Sequence, residues 1–279
     1  MTYDLIITDS HVMTPNGIVE KNIVIEDGKI KLITNDTPEC DKKINGYGLV
    51  SIPGLIDTHV HYGVYSPIDQ AATTESHAAA IGGVTTMMRM FRLNGSYKDS
   101  LQKHLSASQN SHYIDYTLHA SIFDNSQIDE MNYCKENKII SFKIYMNLGG
   151  DVGHVYMEMN PGEQKLISAE VNVTNELVEK IVKKAALLDC PVLVHAEDYQ
   201  ECACGMKTQK EKNHDGLNAW SESRSPNFEA KAIQTICEYG RKYNCQIYFV
   251  HIGSKLALEK IKEEKQKGTK IFVETCPHY

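Results

Sequence analysis

No apolar run reaches the roughly 18 residues that a membrane-spanning helix needs, so the 279-residue chain offers no ordinary transmembrane segment. The start, "MTYDLIITDSHVMTPNGIVE", carries Asp4 and Asp9 and lacks a basic head followed by a long apolar stretch, so no secretory signal is visible. Long runs of one charge are missing too. The net charge of −7 comes from 36 acidic against 29 basic residues, which gives no reason to expect nucleic acid or an anionic membrane as partner. There is no glycine-rich dinucleotide loop, no internal repeat and no low-complexity linker. Eight cysteines are scattered, and without a signal they read as reduced thiols in a cytoplasmic protein. Cys202 and Cys204 form a C-x-C, but no second Cys or His pair stands at zinc-finger spacing.

What is present is ordinary for a globular protein: 42% hydrophobic and 23% charged residues, enough for a substantial core. Residues 1–52 read as short strands, "YDLIIT", "IVEKNIVIEDGKIKLIT" and "YGLVSIP", with Asn16-Gly17 and Asp27-Gly28 as hairpin signals. This predicts a small β-rich, sandwich-like domain ending at Pro53. From there the pattern changes to alternating strands and helices. Short apolar runs fall at 54–61, 84–90, 114–121, 139–146, 191–197, 246–252 and 270–276. Between them lie helix-period segments, clearest at 175–188 (Leu177, Val178, Ile181, Val182, Ala185, Leu188) and from Pro226 through Ile233 and Ile236. Alternating β and α units with buried apolar strands imply a parallel sheet covered by helices. Residues 53–279 are therefore expected to form an α/β barrel of the (β/α)₈ TIM type with seven of its strands present.

In such a barrel reactive groups collect at the carboxyl ends of the strands. The first strand ends in "GLIDTHVHYG", where alternation puts His59 and His61 on one face. The fourth, "SFKIYM", carries Lys143 inside an otherwise apolar strand. The fifth ends in His195 and the sixth in His251. Five groups from four strands thus converge on one rim, whereas the histidines at 77, 104, 112, 154 and 214 fall in predicted helices or loops and are assigned structural roles. A protonated lysine cannot bind a cation, and burying it unpaired is costly. Carboxylation by carbon dioxide would turn Lys143 into an anionic carbamate able to bridge two metal ions ~3.5–4 Å apart. His59 and His61 would hold one ion, His195 and His251 the other. Imidazole with bridging oxygen suits zinc best, with manganese, iron or cobalt as alternatives.

The set "GLIDTHVH", "FKIYM", "VLVHAED", "VHIGS" and "VETCPHY" resembles the cyclic amidohydrolases: hydantoinases, dihydropyrimidinases, allantoinases and dihydroorotases. The resemblance runs from about residue 3 to the last residue. It implies a binuclear zinc centre on His59, His61, Lys143, His195 and His251, with a bridging hydroxide attacking a ring amide carbonyl. It also implies a further ligand and general base, an aspartate ending an eighth strand. Since the chain given stops at Tyr279 after "ETCPHY", that residue is expected beyond Tyr279, and the chain reads as the amino-terminal portion of such an enzyme. Catalytic and substrate-binding residues are left unassigned. Dihydroorotases have an arginine two residues after the H-x-H pair, where this chain has Gly63. Hydantoinases and dihydropyrimidinases have a tyrosine five residues after the modified lysine, where this chain has Leu148. Tyr145 should share the lysine's face and does not inherit that role. The expected function is metal-dependent opening of a hydantoin or dihydropyrimidine ring, by a homo-oligomer when full length. The alternatives are an allantoinase, another hydrolase of the superfamily such as a deaminase, or a non-catalytic assembly protein related to dihydropyrimidinase.

Overall fold

A computed structural model describes residues 2–279, which divide into two compact units, one ending at Leu55 and the other running from Ile56 to Tyr279. The first unit is a five-stranded sheet of β1 (Tyr3–Thr14), β2 (Gly17–Glu26), β3 (Lys29–Thr34), β4 (Cys40–Asn45) and β5 (Val50–Ser51). Its order is β3-β2-β1-β4, with β5 also on β1. The β1–β2 and β2–β3 pairs are antiparallel, and β4 and β5 run parallel to β1. Both hairpins form where the turn chemistry predicts. Asp27 and Gly28 have φ of +53° and +68°, the paired positive values of a tight two-residue turn that matches strand twist.

The second unit carries β6 (Leu55–Val60), α1 (Ile68–Ile81), β7 (Val84–Phe91), α2 (Tyr97–Ala107), β8 (Asp115–Ser121), the short helices α3 (Asn125–Asp129) and α4 (Met131–Glu136), and β9 (Phe142–Tyr145). A two-stranded antiparallel ribbon of β10 (His154–Met157) and β11 (Ile167–Glu170) follows. Then come α5 (Asn175–Leu187), β12 (Val192–His195), α6 (Tyr199–Glu211), α7 (Gly216–Glu222), α8 (Pro226–Tyr243), β13 (Ile247–Phe249), α9 (Lys255–Gln266) and β14 (Ile271–Val273). The seven predicted strands form one sheet in the order β14-β13-β12-β9-β8-β7-β6. All the registers seen from β7 to β14 are parallel.

The sheet curls. Strands β6 and β14 stand at opposite ends of its order, yet His59 Nδ1 lies 2.8 Å from Glu274 Oε1 and Thr58 Oγ1 lies 3.0 Å from the Tyr248 hydroxyl. That curl is what brings residues some 200 positions apart onto one rim. The helices bury the faces that periodicity assigns: Leu177, Val178, Ile181, Val182 and Ala185 of α5, and Ile233 and Ile236 of α8. Pro226 opens α8 behind Ser225, whose hydroxyl accepts from the Asn227 amide. Burial of these aliphatic side chains at roughly 1.5–3 kcal/mol each supplies the main favourable term for the unit.

Two details differ from the sequence reading. His154 is not in a helix or loop but opens β10, exposed, with Nδ1 2.9 Å from Glu170 Oε1 of β11. The ribbon itself has no long apolar run to announce it. No helix among the described residues is long and apolar enough to cross a membrane.

Candidate metal centre

His59 lies on β6, His61 one residue beyond it, Lys143 on β9, His195 at the last position of β12, and His251 two residues past β13. The structure brings the four imidazoles into one cluster. Ring centroids of His59 are 5.1 Å from His61 and 5.4 Å from His251, and His195 is 4.6 Å from His251. His59 Nε2 and His61 Nε2 stand 3.1 Å apart. His251 has φ +38°, a left-handed conformation uncommon outside glycine, at the point where the chain leaves the strand.

Lys143 is fully buried between Ser121 of β8 and Leu193 of β12, its register partners. Its Nζ forms no hydrogen bond and lies 5.1 Å from the Tyr145 ring centroid. Burial holds its pKa well below the ordinary lysine value, against the pull of Glu274. A neutral, unpartnered amine is the form that reacts with carbon dioxide, and an interior orphan is what an added carboxylate would satisfy. Three of the imidazoles are shifted down too, chiefly by burial: His61 to about 2 and His251 to about 3, with His195 also lowered. Neutral imidazole is the ligating form.

Carboxylates orient two of these rings. Glu274, directly after β14, accepts from His59 Nδ1 at 2.8 Å and from the His251 amide at 3.3 Å through the same oxygen. Its other oxygen is 3.2 Å from the Tyr248 hydroxyl, which donates to it. Burial raises the Glu274 carboxyl, but His59, the His251 amide and Lys143 together outweigh it and the net shift is downward. With Nδ1 committed, Nε2 of His59 is the nitrogen left to face a cation. On the far side Glu197 Oε2 lies 2.9 Å from His195 Nε2 and accepts from Arg224 Nη1 at 2.7 Å, leaving His195 Nδ1. Carboxylate partners of this kind fix tautomer and ring orientation in metal sites.

No three His, Cys, Asp or Glu side chains among the described residues converge in metal-holding geometry, and His59 Nε2 faces His61 Nε2 while His195 Nε2 faces Glu197. The donor set nevertheless fits divalent ions: four imidazoles, two of them oriented by carboxylates, and one buried amine without a partner.

The sequence reading singled out neither Glu274 nor Glu197, although both lie in motifs it quoted. It also passed over His119, buried on β8 with Nδ1 2.6 Å from Ser141 Oγ and Nε2 3.1 Å from the Thr58 carbonyl. Tyr145 is beside Lys143 as alternation demands, buried, its hydroxyl pushed up to about 12 by that burial. Leu148 packs into the main hydrophobic core. Cys202 is buried and Cys204 exposed, both free.

Over 290 residues the chain is 28% identical to an allantoinase of Bacillus licheniformis, and over 281 residues 26% identical to an allantoinase of Solibacter usitatus, covering 100% and 99% of this chain. Among solved structures, a D-hydantoinase superposes with a TM-score of 0.82 at 26% identity over 99% of the chain. The chain is similar to cyclic amidohydrolases. An L-hydantoinase (dihydropyrimidinase) from Arthrobacter aurescens, 22% identical with a TM-score of 0.83 over 100% of the chain, shares the fold. No family model matches. The chain spans 60% and 58% of the length of the two allantoinases and 58% of the D-hydantoinase chain.

Proposed function

We propose that this chain provides the metal-holding part of a hydrolase that opens a cyclic amide ring, with His59, His61, His195, His251 and a carbamate on Lys143 holding two divalent ions, zinc being the best match to the donors. The observation that carries this reading is Lys143: buried, neutral and without a hydrogen-bond partner, on the strand rim where four imidazoles gather. When bound, such ions supply Lewis acidity toward a ring carbonyl and lower the pKa of water.

The chain's own residues do the rest. Glu274 and Glu197 hold the His59 and His195 tautomers, so each ring needs little reorganisation to ligate. A cavity of ≈470 Å³ opens beside His195 and His251, bordered by Arg224, Glu229 and Tyr279, and is large enough for a five- or six-membered ring. The ring is taken to be a hydantoin or dihydropyrimidine, supported by the likeness to a D-hydantoinase structure. Allantoin, itself a substituted hydantoin, is the second reading, favoured by the names of the curated relatives. A non-catalytic scaffold has no need of five convergent donors. The proposal keeps the expectations of a cytoplasmic homo-oligomer acting on a small molecule.

The test is ring opening of hydantoin, dihydrouracil and allantoin by zinc-loaded protein extended through an eighth strand, so that the expected general base is included, followed by loss of ring absorbance. Turnover of any one that is abolished by chelation and by His195→Ala supports the reading. Absence of turnover on all three by that extended protein, with a full metal complement, contradicts it.

A further inference from the structure

Carboxylates tie three of the four imidazole residues in place, but not His61. Glu274 bonds His59 through Nδ1 and His251 through its amide, and Glu197 bonds His195. Among the described residues, the side chain of His61 meets only another imidazole, His59 Nε2 at 3.1 Å. His61 also stands one residue beyond β6, where the strand has ended. Its placement therefore falls to the backbone that follows it.

That backbone is held from the β10–β11 ribbon. The Gly63 carbonyl accepts from the Met159 amide at 2.9 Å, and the Tyr62 carbonyl accepts from Arg89 Nη1 at 3.5 Å. The same Arg89 Nη1 donates to Glu158 Oε2 at 2.8 Å, and the Glu158 amide donates to the Arg92 carbonyl at 2.8 Å. Residues 158 and 159, just past β10, thus join the turn after His61 to the end of β7. Gly63 makes room for this: at φ +92° and bare of a side chain, it leaves the space that the Glu158 carboxylate fills. Arg89 is seated 5.0 Å from the ring centroids of both Tyr62 and Phe91. Farther along the turn, Tyr65 meets Tyr156 of β10 with centroids 5.7 Å apart. A buried ion pair adds little net stability over apolar residues of the same volume. This pair, with Glu158 Oε1 left unpartnered, is poorly explained as a stabiliser, whereas its bonds to separate chain segments fix their relative place. The ribbon's strands pair only with each other, so the turn is what the ribbon's end holds.

We propose that the β10–β11 ribbon is a strap on the first-strand turn, and that Glu158, acting through Arg89 and the backbone of residues 62–63, is a positioning residue for His61. The proposal rests on the amidase reading above for what His61 does, and adds an element outside the ligand set on which one half of the centre depends. Glu158 itself touches neither ion nor substrate.

The experiment uses the same extended protein at pH 8, where the Glu158 carboxyl, pushed up to about 7 by burial, is ionised. The native protein, Glu158→Gln and Glu158→Asp are compared by amide hydrogen exchange without metal, and by zinc titration against a chelator with bicarbonate present. In Glu158→Gln the amides of residues 158 and 159, donors of two of the ties, should exchange roughly 10-fold faster, while those of β12 and β13 keep their rates. One of the two zinc ions should bind roughly 10-fold more weakly and the other as in the native protein. A general loss of stability would move both ions and all the amides together, so the selectivity is what identifies positioning. Glu158→Asp keeps the charge but is one methylene short; it should fall between the other two, and it stands in if Glu158→Gln does not fold. Unchanged exchange at 158 and 159 overturns the proposal, as does equal weakening of both ions or of neither. Loosening confined to 158 and 159, in a protein whose native form binds no zinc, supports the strap and removes the amidase reading.

Discussion

Replacing Gly63 by alanine should unlock the segment that follows the His-x-His pair. Gly63 has φ +92°, and a Cβ built there would fall 2.1 Å from Glu158 Oε2 and 2.9 Å from Arg89 Nη1. Alanine in that backbone region costs about 1–2 kcal/mol. The collision is worse, because Glu158 has nowhere to move without leaving Arg89, with which it forms a pair 1% and 0% exposed. Separating a buried pair leaves a guanidinium without its partner and costs about 3–5 kcal/mol. Together these give about 4–7 kcal/mol, comparable to the ~5–15 kcal/mol total stability of a domain. Urea unfolding followed by far-ultraviolet circular dichroism measures the difference. In a Glu158→Ala background the 2.1 Å contact is gone and only the Arg89 Nη1 approach remains, so Gly63→Ala should there cost clearly less, with a coupling of at least about 1 kcal/mol. A Gly63→Ala protein within about 1 kcal/mol of the native one would refute the reasoning.

Other consequences are as direct. Glu158 is pushed up to about 7 by burial, against the pull of Arg89 and Arg92. The folded state therefore holds a proton that the unfolded chain releases near 4.5, so this group's contribution to stability falls as pH rises from about 4.5 to about 7. Glu158→Gln should remove that part of the slope in urea midpoints against pH, and an unchanged slope would count against it. Glu197→Gln and Glu274→Gln should each weaken zinc binding about 10–100-fold in competition with a chelator, since each frees a ligand ring; unchanged affinity would show the carboxylates to be bystanders. His59→Ala and His195→Ala should each lower the metal content by one ion, read by elemental analysis, and full content in both would remove the assignment.

Much of the fold was legible because parallel strands buried on both faces leave continuous apolar runs, and all seven became strands of one sheet. The site was legible for a related reason: a histidine or lysine at the end of such a run breaks its pattern. Lys143 in "SFKIYM" and His195 in "VLVHAED" stand out without any structure. Glu274 and Glu197 did not, because a glutamate near a strand end is an ordinary solvated residue until its partner is known. For Glu274 that partner, His59, lies 215 positions away and meets it only through the curl of the sheet. The β10–β11 ribbon escaped because "HVYM" and "ISAE" are four-residue strands paired only with each other.

The account's central claim is that Lys143 becomes a carbamate that helps hold two metal ions. It is tested most directly by stripping the protein, then reconstituting it with zinc in the presence and absence of bicarbonate, and counting metal per chain. The native protein should regain two ions with bicarbonate and far less without it, and its native mass should rise by one carbon dioxide. Lys143→Ala should regain little in either condition, with short carboxylic acids restoring part. Full, bicarbonate-independent zinc uptake by Lys143→Ala would contradict the account.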